Sequence, residues 1–198
     1  MRKVDHDSRR EEVAAVAAKL IAEQGLESLT TRNLAKAMGC SIGVLSHYFA
    51  NKQEIVLAAF DWADQRIDWR IQEAISRRDA SLETFVPIIL EGLPVTPESD
   101  LEWKVRFNLY TYAFTEQRLR DAQREKLQRF RTMMESLIST LQTKGEVRSD
   151  TDAALITRLA FDLVTGAAHS MLMQPFEKRR ESAEQLLALL EQLRPAQV

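Results

Sequence analysis

The sequence has few residues of the types that cross-link small proteins or bind metal ions in them. One cysteine, Cys40, and three histidines occur among the 198 residues. A single cysteine cannot form an internal disulfide, and structural zinc sites are built mainly from cysteine and histidine. We therefore expect no disulfide, no metal site and no bound cofactor.

Long apolar runs are also missing. A membrane-spanning helix needs about 20 largely apolar residues, and charged residues interrupt this chain before any run reaches that length. Its first residues, MRKVDHDSRREE, lack the apolar stretch of a secretory signal. These absences predict a protein without a membrane partner that works in the cytoplasm.

A large excess of either charge is absent too, because the formal net charge is −2. Sequence-independent attraction to nucleic acid needs a strongly basic surface, so any DNA binding must come from a local surface. Catalytic signatures such as Gly-x-Ser-x-Gly, His-Glu-x-x-His or a phosphate loop do not occur. We therefore predict no catalytic residues.

What the chain does contain is helical periodicity. Hydrophobic residues make up 45% of the sequence and recur three and four positions apart, with little strand-like alternation. The pattern predicts an all-α fold of about nine helices. Capping boxes at Ser8–Glu11 and Asn51–Glu54 are expected to start the first and fourth helices. Glycines at positions 25, 39 and 145 are expected to end the first, second and seventh helices.

Residues 35–49, AKAMGCSIGVLSHYF, contain two short helical patterns separated by Gly39. Leu45 of the second pattern is expected to pack against Leu34 of the first, which gives a helix-turn-helix arrangement. Gly43 and Val44 then point outward together with His47, flanked by Ile42 and Ser46. An exposed helix that is slender and nearly uncharged suits the major groove of DNA, where methyl groups can contact thymine.

Hydrogen-bond donors surround this second short helix. His47, Tyr48 and Lys52 lie at its end, and Thr31 and Arg32 lie at the start of the preceding helix. Donors in these positions can bind DNA phosphates. The alternative is that the three N-terminal helices only pack on one another.

The segment LTTRNLAKAMGCSIGVLSHYFANKQEI resembles the DNA-binding module of the TetR family in four features. These are the Leu-Ala-x-x-x-Gly core, the serine that opens the second short helix, the His-Tyr-Phe ending and the following Asn-Lys. The Ser-His-Tyr-Phe ending is similar to that of the choline-responsive BetI subgroup. The resemblance assigns DNA contacts to Thr31, Arg32, Ser41, Ile42, Gly43, Val44, Ser46, His47, Tyr48 and Lys52.

The resemblance also implies an organisation and a function. Residues 1–50 would form the DNA-binding domain, and residues 51–198 a helical bundle for ligand binding and dimerisation. The protein would be a homodimeric repressor that a small molecule releases from a palindromic double-stranded DNA operator. Two positions depart from the family pattern, because Ser46 replaces a frequent tyrosine and Cys40 an aliphatic residue. Cys40 is interpreted as a small apolar filler, with a redox sensor as the alternative.

Aromatic residues with polar groups in the C-terminal part indicate a small-molecule pocket, although ordinary core packing explains each ring taken singly. Arg66 and Arg70 could bind an anion; the alternatives are that their aliphatic stems cover the core or that both pair with Glu73. A polar stripe on the eighth helix could line the pocket or face solvent. The effector could be a cation near Glu102, an anion or a flexible apolar molecule. Candidate ligand-binding residues are Trp62, Arg66, Trp103, Phe107, Tyr110, Met133, Phe161, Thr165 and His169.

The last predicted helix carries more leucine than one chain needs to dock it, which predicts a partner helix. The resemblance to the TetR family implies that this partner belongs to a second copy, in a homodimer through the last two helices. The leucines are Leu186, Leu187, Leu189, Leu190 and Leu193. The alternative function is a helical ligand carrier or an enzyme whose N-terminal module does not bind DNA.

Overall fold

The computed structural model describes residues 2–76, 81 and 88–190, and in these ranges every regular element is helical. The fold is therefore all-α, as the periodicity predicts. The helices are α1 (Arg2–Gln24), α2 (Thr31–Ala37), α3 (Ile42–Tyr48), α4 (Lys52–Ser76), α5 (88–91), α6 (Pro97–Ala113), α7 (Gln117–Thr143), α8 (Ala153–Leu172) and α9 (Arg179–Leu190). Short 3-10 turns occupy Leu26–Ser28 and Phe176–Lys178. None of the described helices is both long enough and apolar enough to span a bilayer.

The chain divides into two compact units, and each unit is built from two separate stretches of the sequence. The first unit comprises residues 1–66 and 101–119, and the second comprises residues 67–100 and 120–198. Helix α4 contributes residues 52–66 to the first unit and residues 67–76 to the second. The predicted domains, 1–50 and 51–198, divide the chain by function and stay a prediction.

The first unit is built around one apolar cluster. Leu34, Leu45 and Phe60 are each at most 2% exposed in it, and α6 contributes Val105 and Leu109. Burying a large aliphatic side chain this completely stabilises the fold by about 2 kcal/mol. Helix α1 faces the cluster with small as well as large residues, which lets the other helices approach it closely. These residues are Val13, Ala17, Ala18 and Ile21.

The turn between α2 and α3 has the geometry that the sequence predicts. Gly39 has a φ of 63°, in the left-handed region that glycine adopts at low cost. The amide of Cys40 donates to the carbonyl of Ala35 at 3.0 Å, which satisfies an acceptor at the end of α2. Thr30 caps the start of α2, because its hydroxyl accepts from the amide of Asn33 at 3.1 Å.

The predicted cap at Asn51 does start α4, but the second bond of a capping box goes to Ala50 instead of to the amide of Asn51. The amide of Glu54 donates to Asn51 Oδ1 at 3.0 Å, and the Glu54 carboxylate accepts from the amide of Ala50 at 2.9 Å. The prediction that Ser8 starts α1 is wrong, because α1 begins at Arg2 and Ser8 lies inside it. Most residues before Ser8 are charged and tolerate a helix, so the helix continues upstream past the capping pattern.

Ion pairs join α4 and α6 within the first unit. Asp64 accepts from Arg106 Nε at 2.9 Å and from Nη2 at 2.8 Å, and both side chains are largely buried. Nearer the start of α4, Gln53 donates to Glu116 at 3.2 Å. Glu116 lies just past the end of α6, and the partner's residue number falls from 116 to 106 as the number on α4 rises from 53 to 64, so the two helices run antiparallel.

In the second unit α7 and α8 also run antiparallel. The rings of Phe130 and Phe161 lie 6.0 Å apart, and Gln142, farther along α7, donates to the carbonyl of Thr151 at 2.7 Å just before α8. In the connecting turn Arg148 donates two hydrogen bonds of 2.5 Å to Asp150. These bonds hold the pKa of the exposed Asp150 carboxyl below its ordinary value.

Candidate nucleic-acid interface and ligand site

Helix α3 packs on the first unit through one side and exposes the other. Leu45 is 2% exposed and fixes the rotation of the helix, whereas Ile42 and Val44 are 45% and 40% exposed. Gly43 is exposed between them. The outward surface of α3 therefore exposes apolar side chains to solvent, and neighbouring side chains of the helix are too small to cover them.

The fold does not require glycine at position 43. A methyl group placed there would make only an ordinary contact, 3.8 Å from Ser41 Oγ. This differs from Gly39, whose positive φ requires a residue that tolerates the left-handed region. The absence of a side chain at position 43 leaves the backbone of α3 open to close approach from outside.

The predicted phosphate-binding donors lie in or beside the exposed surface. Thr31, Arg32, His47 and Lys52 are exposed. Ser46 is exposed as well, and its hydroxyl donates to the carbonyl of Ile42 at 3.1 Å. These side chains are placed where an external acceptor can reach them.

Ser41 and Tyr48 lie at opposite ends of α3. Ser41 is the N-cap residue, but its side chain makes no capping hydrogen bond, so the exposed hydroxyl stays available. Tyr48 is half-buried, with its ring 4.9 Å from that of His6 and 5.9 Å from that of His47. Of the ten predicted DNA contacts, Tyr48 alone is half-buried and the others are exposed.

Arg10 of α1 holds the end of α3 in place. Its guanidinium donates to the backbone carbonyl of Tyr48 and lies 4.2 Å from the ring centre of Phe49. Sequence reasoning missed this contact, because Arg10 belongs to a charged run in which no local pattern marks a partner 38 residues away.

Cys40 is half-buried against the apolar cluster, in agreement with its interpretation as a filler.

The predicted ligand-binding rings of the first unit form a row on α6. Trp103 is 2% exposed and stacks on Phe107 at 5.4 Å. Phe107 in turn meets Tyr110 edge to face at 5.7 Å. The structure therefore brings these three rings together, with Trp103 at the buried end.

Arginine side chains already cover the two tryptophans of this unit. Arg66 lies 4.9 Å from the Trp62 ring and donates to the fully buried Glu102 at 3.3 Å, not to Glu73. The guanidinium of Arg106 lies 5.1 Å from the Trp103 ring. The charges proposed to attract an anion at Arg66 and a cation near Glu102 are thus paired with each other, with Glu102 buried and the Arg66 side chain 47% exposed.

The remaining predicted ligand residues lie in the second unit. Met133 and Phe161 are half-buried, and the guanidinium of Arg131 lies 5.4 Å from the Phe161 ring. Thr165 is half-buried and its Oγ1 has no hydrogen-bond partner among the described residues. His169 is exposed, so the polar stripe on α8 faces solvent at that position.

Sequence reasoning missed three further residues of this region. Gln123, Arg131 and Thr157 each have a buried polar atom without a partner in the described ranges. Periodicity identifies which side of a helix is apolar, but it cannot identify a polar atom left unsatisfied in tertiary packing.

Nowhere in the described residues do three His, Cys, Asp or Glu side chains come together as a metal ion would require.

Comparison with known proteins relates both halves of the chain to one group of regulators. A family model described as "Bacterial regulatory proteins, tetR family" matches residues 14–59, and one described as "BetI-type transcriptional repressor, C-terminal" matches residues 82–194. The HTH-type transcriptional regulator PksA of Bacillus subtilis is 26% identical over 186 residues, which is 94% of this chain and 89% of that protein.

Solved structures with similar folds are also regulators. A TetR transcriptional regulator from Chloroflexus aurantiacus superposes with a TM-score of 0.79 at 21% identity, over 97% of this chain and 98% of that one. A Saccharomonospora viridis protein, described as a transcriptional regulator and solved in complex with choline, superposes with a TM-score of 0.76 at 20% identity. That match covers 92% of this chain and 96% of the other.

Proposed function

The chain belongs to the TetR family of bacterial transcriptional regulators, and from this premise we propose that it is a homodimeric repressor released from a palindromic operator by a small molecule. Regulators of this family bind DNA and small-molecule ligands and are not enzymes. We therefore set aside the enzyme alternative and place the protein in the cytoplasm, where operator DNA lies.

The observation that carries the proposal is the open surface of α3. Val44 and Ile42 expose apolar groups beside the exposed backbone of Gly43. Such a surface costs free energy in water, but in a major groove its methyl groups can contact thymine. A ligand carrier would gain nothing from leaving this helix uncovered.

The proposed homodimer interface is the exposed side of α8 together with α9. Leu159 is 57% exposed and Leu163 is 37% exposed, one turn apart on α8, and Met173 just beyond the helix is 73% exposed. A methyl group added at Gly166 would meet nothing within 4 Å, so another helix could approach closely there. This arrangement supports a two-fold dimer in which each copy presents the same apolar side.

Of the five leucines predicted for the interface, the structure describes the side chains of two, Leu186 and Leu187. Leu186 is 8% exposed and packs within its own chain, and Leu187 is half-buried. The side chains of Leu189, Leu190 and Leu193 lie outside the described residues. In a dimer of this kind the two α3 helices would enter successive major grooves about 34 Å apart.

The proposed release mechanism uses α4, which contributes residues to both compact units. An effector that binds only a conformation with the α3 helices out of register would draw the population away from the DNA-bound state. Moving that population from 1:99 to 99:1 requires about 5.5 kcal/mol of preferential binding. A displaced α4 would carry the change, because its first residues belong to the same unit as α3.

Salt-dependent operator binding tests this function. We expect Lys52→Ala to weaken binding to all sequences alike and to reduce the slope of log affinity against log salt by about 1, since one phosphate contact is lost. Lys19→Ala is the matched control, because Lys19 is an exposed lysine of the same unit whose side chain is 65% exposed beside Glu23. Equal effects of the two substitutions would contradict the assigned role of Lys52.

A further inference from the structure

Several polar side-chain atoms of the second unit are buried without a hydrogen-bond partner in the described part of the chain. Arg179 Nε is one of them, but the same guanidinium binds Asp100 and the carbonyl of Pro94 through Nη1. The other four lie on the paired helices α7 and α8. They are Gln123 Oε1, Arg131 Nε, Thr157 Oγ1 and Thr165 Oγ1.

Three of these atoms belong to one stretch of the α7–α8 interface. The Arg131 guanidinium lies 5.4 Å from the Phe161 ring. Thr157 and Thr165 lie one helical turn before and after Phe161, which is about 6 Å along the axis in each direction. Gln123 is two turns from Arg131 on α7, about 12 Å along that helix.

The charge of Arg131 is only weakly balanced by its neighbour. Its Nη2 lies 4.0 Å from Asp162 Oδ1, which is beyond hydrogen-bond length, and the Asp162 side chain is 62% exposed. The Nε–H group is buried and can only donate, so its natural partner is an acceptor, and an anionic acceptor binds best. The Phe161 ring lies beside the Arg131 guanidinium, and the Phe130 ring lies 6.0 Å beyond it, from centre to centre of the two rings.

We propose that Arg131, Thr157 and Thr165 form the binding site for an effector with a carboxylate group on a flat apolar body. The carboxylate accepts from Arg131 Nε and from a threonine hydroxyl, and the body contacts Phe130 and Phe161. Gln123 Oε1 accepts from a donor at the far end of a longer ligand. This inference rests on the proposed function, because it names the chemical class of the effector.

Ligand entry must change the packing of α7 and α8. The four atoms are inaccessible to solvent in this conformation, so side chains between the helices have to move apart when the effector binds. Burial without a partner is unfavourable for each atom, and the ligand relieves that penalty. The site therefore favours a conformation different from the ligand-free one, as release from an operator requires.

Thermal unfolding of the full chain with small acids tests the ligand class. The probes are benzoate, phenylpropanoate and naphthoate, each compared with its primary amide, and choline as a cation. We expect at least one acid to raise the Tm, because a ligand that binds the folded state stabilises it, and we expect its amide and choline to have no such effect. No shift with any acid, an equal shift with the amide, or a shift with choline alone would overturn the proposal.

Substitution of Arg131 tests its role in acid binding. Arg131→Gln should weaken binding of the stabilising acid by about ten- to hundredfold, because a hydrogen bond from a charged donor is lost. Arg129→Gln is the control, since Arg129 is on the same helix with its side chain 63% exposed. Unchanged acid affinity in Arg131→Gln, or an equal loss in Arg129→Gln, would overturn the assignment.

Thr157→Val and Thr165→Val separate a ligand-binding role from a structural one. Valine has nearly the same shape as threonine and removes the unpartnered hydroxyl, so each variant should have an unchanged or higher Tm without ligand. The two hydroxyls are about 12 Å apart along α8 and the carboxylate binds one of them, so one variant should show a smaller Tm shift with the acid and the other an unchanged shift. A full response to the acid in both variants would overturn the proposal.

Operator binding by the same samples distinguishes this inference from the proposed function. If the wild-type protein binds its operator but no acid stabilises it or releases it, the ligand class is wrong and the regulator function stands. If an acid stabilises the protein through Arg131 but no operator is bound, the site is supported and the regulator function fails.

Discussion

Gly39 and Gly43 are four residues apart and perform different tasks. Gly39 ends α2 with a φ of 63°, whereas Gly43 is an exposed helical residue with ordinary space around it. The fold therefore explains the first glycine and leaves the second to be explained by function. Close approach of DNA to the backbone of α3 is the explanation that we propose.

Substitution of each glycine by alanine should separate stability from DNA binding. Gly39→Ala should destabilise the protein by about 1–2 kcal/mol, because alanine is strained at positive φ. Gly43→Ala should leave stability equal or slightly higher, since alanine favours helix over glycine by about 0.5–1 kcal/mol, while weakening operator binding severalfold. Urea unfolding and operator titration measure the two effects. Full operator affinity in Gly43→Ala would contradict close approach at α3.

At the level of single residues, the sequence predicts local geometry well and tertiary partners poorly. The left-handed turn at Gly39 and the Thr30 cap follow from residues next to one another. The partners of Arg66 and Arg10 do not, because each pairs with a residue 36 or more positions away. Local charge patterns favoured Glu73 for Arg66, and tertiary packing selected Glu102 instead.

At the level of helices, α4 and α6 are joined by a largely buried ion pair between Asp64 and Arg106. Asp64 and Arg106 have side chains 9% and 16% exposed, and Arg106 also covers the Trp103 ring. Removing one member of a buried pair leaves an uncompensated charge, which is much costlier than losing an exposed pair. The alignment of α4 with α6 therefore depends on both members.

Asp64→Ala should destabilise the protein by about 3–5 kcal/mol, because Arg106 stays buried without its carboxylate. Glu125→Ala is the control, since Glu125 and Arg129 form a pair with side chains 72% and 63% exposed. Its loss should cost about 0.5 kcal/mol or less. Urea unfolding at one protein concentration measures both. A loss for Asp64→Ala no greater than that of the control would show that the pair does not hold the helices.

Capping patterns in the sequence predict some helix boundaries and not others. The Asn51 side chain caps α4 as predicted, and Gly145 has the expected positive φ of 74° after α7. Ser8 has the same kind of pattern but lies inside α1. A capping residue starts a helix only where the residues before it are not helical. Nothing in the sequence before Ser8 prevents those residues from being helical.

At the level of the whole molecule, the exposed leucines of α8 predict self-association. Leu159 and Leu163 would lie in the centre of a two-fold interface. Leu163→Glu should convert the dimer to a monomer, because a carboxylate in an apolar interface is not paired. Phe114→Glu is the control, an equally drastic change at a residue 77% exposed outside the proposed interface. Light scattering after size exclusion measures the mass. A monomeric wild type, or a dimeric Leu163→Glu, would contradict this interface.

The most direct test is a footprint of the protein on the DNA that flanks its own gene. We predict protection of two inverted half-sites with centres about one helical turn, roughly 34 Å, apart. Protection should be lost steeply as salt rises, because phosphate contacts release counterions. Leu163→Glu should lose the paired footprint while Phe114→Glu keeps it. No protection at low salt, or a single half-site protected by the dimer, would contradict the account.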